Sequence, residues 1–167
     1  IINDAKGYRF DNERPNVISR NNAAVIINHT SDLPNLMQSK TKYKNLIKDI
    51  KTDLKNKVKT SIKMGINPHS IVIDPGIGFG KTVKQNITLI KKAEEFSKLK
   101  LPVMYGVSNK SFLGEILNIK IPKNRTNASV VTACFCLNNG ANLLRVHNIK
   151  ETREMIKIWQ ELENVRN

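Results

Sequence analysis

Ser70-Ile71-Val72-Ile73-Asp74-Pro75-Gly76-Ile77-Gly78-Phe79-Gly80-Lys81-Thr82 is the stretch that decides the architecture of this 167-residue chain. Its first half is β-branched and apolar, as in strands buried on both faces of a parallel sheet. Its second half stops the strand at Pro75-Gly76 and opens a glycine-rich loop. The closing Gly-Lys-Thr invites comparison with a phosphate-binding P-loop, which needs four residues between its first glycine and that triplet. Here three residues separate Gly76 from Gly80, and position 75 is proline. The P-loop reading fails on spacing. What stands is a carboxylate, Asp74, at a strand tip, followed by a loop whose backbone can approach a flat ligand while Phe79 packs against it.

Four more runs of the same kind flank it. Ile1-Ile2 closes on Asn3-Asp4 and stops by Gly7; Ala23-Ala24-Val25-Ile26-Ile27 closes on Asn28-His29. Leu101 to Val107 and Asn142 to His147 are the other two. Helical patterns lie between them. Tyr43, Ile47, Ile50, Leu54, Val58 and Ile62 form one apolar stripe, with Lys44, Lys48, Lys51, Lys55, Lys59 and Lys63 turned towards water. Ile87, Ile90, Ala93, Glu94 and Phe96 mark a second helix. Thr126 to Leu137 is a third, closed by Asn139-Gly140. Met155, Ile158, Trp159 and Leu162 are the stripe of the last, with Trp159 expected in the core. Five strand–helix alternations predict an α/β fold of five βα units with a parallel sheet and right-handed crossovers. No repeat or low-complexity linker suggests a second domain, so residues 1–167 are expected to form a single unit. Asn3, His29, Asp74, Lys110 and His147 fall at or just beyond strand C-terminal ends, where such folds bind ligands.

Charge is the other conspicuous property. Twenty-eight Lys and Arg against fourteen Asp and Glu leave +14. A nucleic-acid binder would gather these on one face with interleaved aromatics. Here they spread over several helices, so solvated faces are expected and no nucleic acid. No apolar run approaches the roughly 18 residues of a membrane span. Without a signal-peptide pattern either, a cytoplasmic protein is expected. Cys134 and Cys136 are too few for a disulfide framework or a zinc site, and read as small apolar residues.

Cations stand near the strand ends. Gly106-Val107-Ser108-Asn109-Lys110-Ser111-Phe112-Leu113-Gly114 leads from the fourth strand into a short helix, where Lys110 and Ser111 would make an anion site with the free N–H groups. Alternation puts Arg145 and His147 on one face of the fifth strand, able to point at one anion.

Taken together, Ile-Ile-Asn-Asp at 1–4, His29 with Pro34 and Met37-Gln38, the Asp74–Lys81 motif, Ser108-x-Lys110-Ser111-Phe112 and Arg145-Val-His147 resemble the dihydropteroate synthase family of pterin-binding TIM barrels, in order and approximate spacing. The resemblance runs from Ile1 to about residue 162. It implies a transferase of folate biosynthesis that joins p-aminobenzoate to 6-hydroxymethyl-7,8-dihydropterin diphosphate with release of pyrophosphate. By that resemblance Asn3, Asp74 and Lys110 bind the pterin, and Asp74 and Lys110 carry the chemistry. Phe79, Lys110 and Ser111 border p-aminobenzoate, and Arg145 and His147 hold the pyrophosphate. It also implies Mg2+ bound through the diphosphate, with no metal ligand in this chain, and a homodimer.

Departures from the family pattern are Asn28 and Thr30 around His29, Asn109 before Lys110, and Asn148 after His147. The resemblance also places Ile1–Asp4 at the fourth of eight strands, while a complete (β/α)8 barrel takes about 250 residues. A partial barrel of the fourth to eighth units is therefore expected: a C-terminal portion, a split-chain component needing a separate N-terminal half, or an inactive remnant. A methyltetrahydrofolate methyltransferase domain shares the fold, but the paired Gly-Phe-Gly-Lys and Ser-x-Lys-Ser-Phe motifs favour the synthase.

Overall fold

The computed structural model describes residues 1–5, 13–30 and 43–164. Five short strands and seven helices alternate among them: β1 (Ile2–Asp4), α1 (Arg14–Arg20), β2 (Val25–Asn28), α2 (Leu46–Lys63), β3 (Ile71–Asp74), α3 (Val83–Lys91), α4 (Glu94–Ser97), β4 (Met104–Tyr105), α5 (Ser111–Leu117), α6 (Thr126–Asn138), β5 (Leu143–Leu144) and α7 (Ile149–Asn164). All strand pairs are parallel. β1, β2 and β3 form one ladder, β4 and β5 another. The two ladders meet at a seam made by one bridge, Ile73 to Val103, where the Ile73 N–H donates to the Pro102 carbonyl at 2.9 Å.

Register explains which side chains face where. Val25, Ile27, Ile71, Ile73, Val103 and Tyr105 share the helix-facing side and are at most 1 % exposed. They pack with Ile50 and Leu54 of α2, Leu89 of α3 and Phe96 of α4 into one core. Alternation sends Asn3, Ile26, Asn28, Val72 and Asp74 to the opposite face. Both faces of β2 are covered, which suits its Val25-Ile26-Ile27 run, and all four residues, the polar Asn28 included, are buried.

Helix starts follow local chemistry. Asn45 caps α2 by accepting from the Lys48 N–H at 3.1 Å. Thr82 and Gln85 form a reciprocal capping box on α3, which fixes where the glycine loop ends.

Several sequence expectations are corrected. The helix expected through Ile87 and Phe96 is broken into α3 and α4. α1 was not anticipated. The fourth and fifth strands are two residues each, so Arg145 and His147 lie beyond β5 rather than on it. Trp159 is only half-buried, its indole N–H donating to Asn138 Oδ1, because its neighbours Ile158 and Leu162 are 64 % and 70 % exposed. Lys51 turns to Glu95 rather than to water. Cys136 is buried and Cys134 half-buried. No helix among the described residues is long and apolar enough to cross a membrane.

Candidate functional site

A cavity of about 110 Å³ opens at the C-terminal ends of the strands, lined by Asn3, Ala5, Asn28, Asp74, Phe79, Gly106, Lys110 and Arg145. Each strand delivers to it from its inward face or the loop beyond: Asn3 from β1, Asn28 from β2, Asp74 from β3, Gly106 and Lys110 after β4, Arg145 after β5. It contains one carboxylate and two cations among the described residues.

Asp74 is 4 % exposed, and its Oδ1 accepts the Gly76 N–H at 2.7 Å. Burial pushes its pKa above the usual carboxylate range. The Gly76 N–H, the positive charges of Lys110 and Lys81, and the Asn28 side chain pull the other way. Lys110 places its ammonium 4.2 Å from the centre of the Phe79 ring. Burial depresses its pKa, Asp74 supports its charge and Arg145 opposes it.

The glycine loop is shaped from below. Gly76 has φ +76° and its missing Cβ would stand 1.9 Å from the His29 carbonyl oxygen, so no side chain fits. Lys81, 4 % exposed, turns inward and donates to the Gly76 and Phe79 carbonyls at 2.8 and 2.9 Å. Burial lowers its pKa to about 7 although Asp74 supports the charge. Asn86 also holds the loop, accepting the Gly78 N–H at 2.8 Å. Sequence reasoning took Lys81 only as part of a motif and missed this clamp.

Beneath β2 lies a second polar cluster. His29 is 5 % exposed, with Nδ1 2.7 Å from Asp53 Oδ2 and Nε2 3.2 Å from the Tyr43 hydroxyl. Burial lowers its pKa to about 4 despite Asp53. Lys57 completes the group, 2.6 Å from Asp53 and 3.1 Å from the Asn28 carbonyl. His29 therefore braces the cavity floor rather than lining it. Neither Asp53 nor Lys57 was singled out from sequence; the available signal was that Asp53 adjoins Leu54 on the apolar stripe.

Two expected site residues are not on the cavity wall. Ser111 is exposed at the start of α5, which has only seven residues and too little backbone dipole to make an anion site of its own. His147 is also exposed, and turns its Nδ1 to the buried Ser108 hydroxyl at 3.1 Å. Ser108 Oγ also accepts the His147 backbone N–H at 3.2 Å. Two contacts from one hydroxyl, to the ring and to the backbone of the same residue, hold the imidazole against Ser108.

Asn109 occupies the left-handed region at φ +59°, a conformation asparagine tolerates better than most side chains. Its side-chain oxygen accepts from Ser129, and its carbonyl accepts from the buried Arg125 guanidinium at 2.9 Å. Arg125 also donates to the Ile119 and Lys120 carbonyls. A guanidinium thus supports this loop from α6's side, which sequence reasoning did not find. Gly7, Pro34, Met37 and Gln38 lie outside the described residues.

Comparison with known proteins decides the family. The model of the pterin binding enzymes matches residues 1–147. The chain belongs to the pterin-binding enzyme family. Among relatives of this family member, the dihydropteroate synthase of Synechocystis sp. is 35 % identical over 162 residues, covering 97 % of the chain and 56 % of that protein. Xanthomonas albilineans dihydropteroate synthase, solved with 4-aminobenzoic acid, superposes with a TM-score of 0.91 at 27 % identity over 99 % of the chain and 58 % of its own. The Thermus thermophilus enzyme, solved in complex with 6HMPPP, gives 0.91 at 30 % identity, covering 96 % and 63 %. The chain thus spans little more than half the length of the curated relatives it matches.

Proposed function

We propose that residues 1–167 are one partial domain, the fourth to eighth βα units of a (β/α)8 barrel, and supply most of the reaction site of a dihydropteroate synthase. The observation that carries this is the convergence of Asn3, Asp74, Phe79, Lys110 and Arg145 on one cavity at the strand ends. The residues suit both substrates. A buried carboxylate accepts from the amino-pyrimidine edge of a pterin, with charge-assisted hydrogen bonds about twice as strong as neutral ones. Asn3 and Lys110 meet the pterin's remaining polar atoms, while Phe79, Lys110 and Ser111 border p-aminobenzoate.

The step proposed is a substitution at the pterin's exocyclic methylene carbon. The p-aminobenzoate nitrogen forms a bond to it, the bond from that carbon to the diphosphate oxygen breaks, and the nitrogen gives up a proton to water. Pyrophosphate leaves with the electron pair of the broken bond. Arg145 stabilises that growing negative charge, and His147, held by Ser108 beyond the same strand, assists it. Asp74 and Lys110 act earlier and later in the same coordinate, orienting the electron-poor ring and sharing its changing charge.

A resident Mg2+ does not fit this donor set. The ion seeks six oxygens in octahedral array, and Asp74, already bonded to Gly76, is the one carboxylate on the described wall. Among the described residues no group of three acidic, histidine or cysteine side chains could hold a metal. We assign Mg2+ to the diphosphate substrate, and no step passes through it here. Cytoplasmic location, a homodimer and a separate chain carrying the remaining barrel units are parts of the same proposal.

The test is pyrophosphate release dependent on p-aminobenzoate, in a barrel completed by supplying the first three βα units as a second chain. Turnover that Asp74→Asn abolishes supports the assignment. A soluble, associated pair that binds neither substrate refutes it.

A further inference from the structure

We propose that Asn28 is a positioning residue for Asp74, its carboxamide N–H facing the Asp74 carboxylate from the neighbouring strand and fixing how that carboxylate meets a ligand. This rests on the reading of Asp74 as a pterin acceptor.

Asn28 and Asp74 are register partners across the β2–β3 ladder. Partners in register project from the same face about one strand spacing apart, close enough for direct contact. Both line the cavity, and Asn28 is 2 % exposed. The Asn28 side chain acts on Asp74 as a hydrogen-bond donor and favours its ionised form. Its oxygen is buried without a hydrogen-bond partner, pressed towards Gly76, where a Cβ would stand 3.0 Å from it. An orphaned buried acceptor is destabilising, since it has given up water and gained no partner. Turning the amide over would set that oxygen against the carboxylate oxygens, two acceptors face to face. An apolar side chain of similar size would fill the space with no orphan at all. Packing alone therefore gives no reason for asparagine here; a donor beside Asp74 does.

The surroundings keep this geometry fixed. Lys57 ties down the Asn28 carbonyl at 3.1 Å, and the His29 N–H holds the Asp74 carbonyl at 2.9 Å. Of the charged groups facing the carboxylate, Lys110 and Lys81 favour its ionised form, while burial opposes it. The Gly76 N–H secures Oδ1 from the loop side, and Asn28 faces it from the sheet side.

The experiment follows the Asp74 carboxyl by carbon-13 NMR across pH in the 167-residue chain, in the parent and in Asn28→Leu and Asn28→Asp. Pterin affinity is measured in parallel by fluorescence titration at each pH. Loss of the N–H moves the Asp74 midpoint upward in Asn28→Leu. In Asn28→Asp the two carboxyls titrate together, with an upper midpoint higher still. The acid limb of pterin affinity moves with it, weakening binding about tenfold at a pH on that limb. Asn28→Leu melts no lower than the parent, since the orphaned oxygen is gone. An Asp74 midpoint unmoved in the variants overturns the proposal, as does a lower melt with an unshifted affinity profile. If Asn28→Leu does not fold, the nearly isosteric Asn28→Asp decides alone. A midpoint that moves while neither parent nor variant binds pterin keeps the positioning role and removes the substrate reading.

Discussion

Replacing Gly76 with alanine tests the architecture of the site at its tightest point. The added Cβ would stand 1.9 Å from the His29 carbonyl oxygen, where a carbon–oxygen contact needs about 3.3 Å. Backbone must move by more than an ångström, and both sides resist. The His29 N–H is bonded to the Asp74 carbonyl at 2.9 Å, and the Gly76 carbonyl to buried Lys81 at 2.8 Å. The left-handed φ of +76° adds about 1–2 kcal/mol for any residue with a Cβ. Losing one charge-assisted hydrogen bond, the Gly76 N–H to Asp74, adds roughly 1.5–3 kcal/mol. Gly76→Ala is therefore expected to cost about 2.5–5 kcal/mol, a large share of a typical domain's roughly 5–15. Gly106→Ala is the control: its Cβ would meet only Arg145 Cβ, at 3.9 Å, and its φ is not positive. Urea unfolding of both variants measures the difference. A Gly76→Ala midpoint equal to that of Gly106→Ala would refute the reasoning.

Asp74→Asn should weaken pterin binding by about 2–4 kcal/mol, because an amide N–H then faces the ligand's own donors; unchanged affinity in a fluorescence titration would sink the role given to Asp74. Ser108→Ala should release the His147 ring from its contact with Ser108 and weaken diphosphate binding several-fold while costing only about 1 kcal/mol of stability, a contrast that calorimetry and thermal melts resolve together. His29, held near 4 by burial against an ordinary 6.5, resists protonation in the fold more than in the unfolded chain. Stability is then full above about pH 6.5 and falls progressively towards pH 4; denaturant melts over that range should show the loss, and His29→Asn should flatten it.

Asp74 and Lys110 were legible in the sequence because each follows a buried strand, Asp74 just before the Pro75-Gly76 stop and Lys110 just before a short helix. The β-branched run before Asp74 leaves no doubt about its position, and Pro75-Gly76 marks the stop. Residues whose importance comes from packing were not legible. Asp53 and Lys57 are four apart on a lysine-rich helix, the spacing of an ordinary solvated pair; only the docking of α2 under β2 turns them to His29 and Asn28. Lys81 was legible as the end of a motif, but its inward turn onto the Gly76 and Phe79 carbonyls shows only once the loop is folded. α1 has a single buried aliphatic side chain, Ile18, too little for a stripe, although Pro15 in its first turn was a usable start signal. Trp159 misled because apolar periodicity records which residues share a helix face, not whether anything covers it.

The seam between β3 and β4 gives the site a mechanical character. Asn3, Asn28 and Asp74 ride on the three-stranded ladder, whereas Lys110 and Arg145 follow the two-stranded one. One backbone bridge joins the ladders, so side-chain packing supplies most of the stiffness there. A molecule gripped at one end by Asp74 and at the other by Arg145 is a staple across that joint. Its binding energy adds directly to the work of prying the ladders apart. The amide of Ile73, which makes the bridge's hydrogen bond, is the natural strain gauge: its hydrogen exchange slows in proportion to how firmly both ends are held.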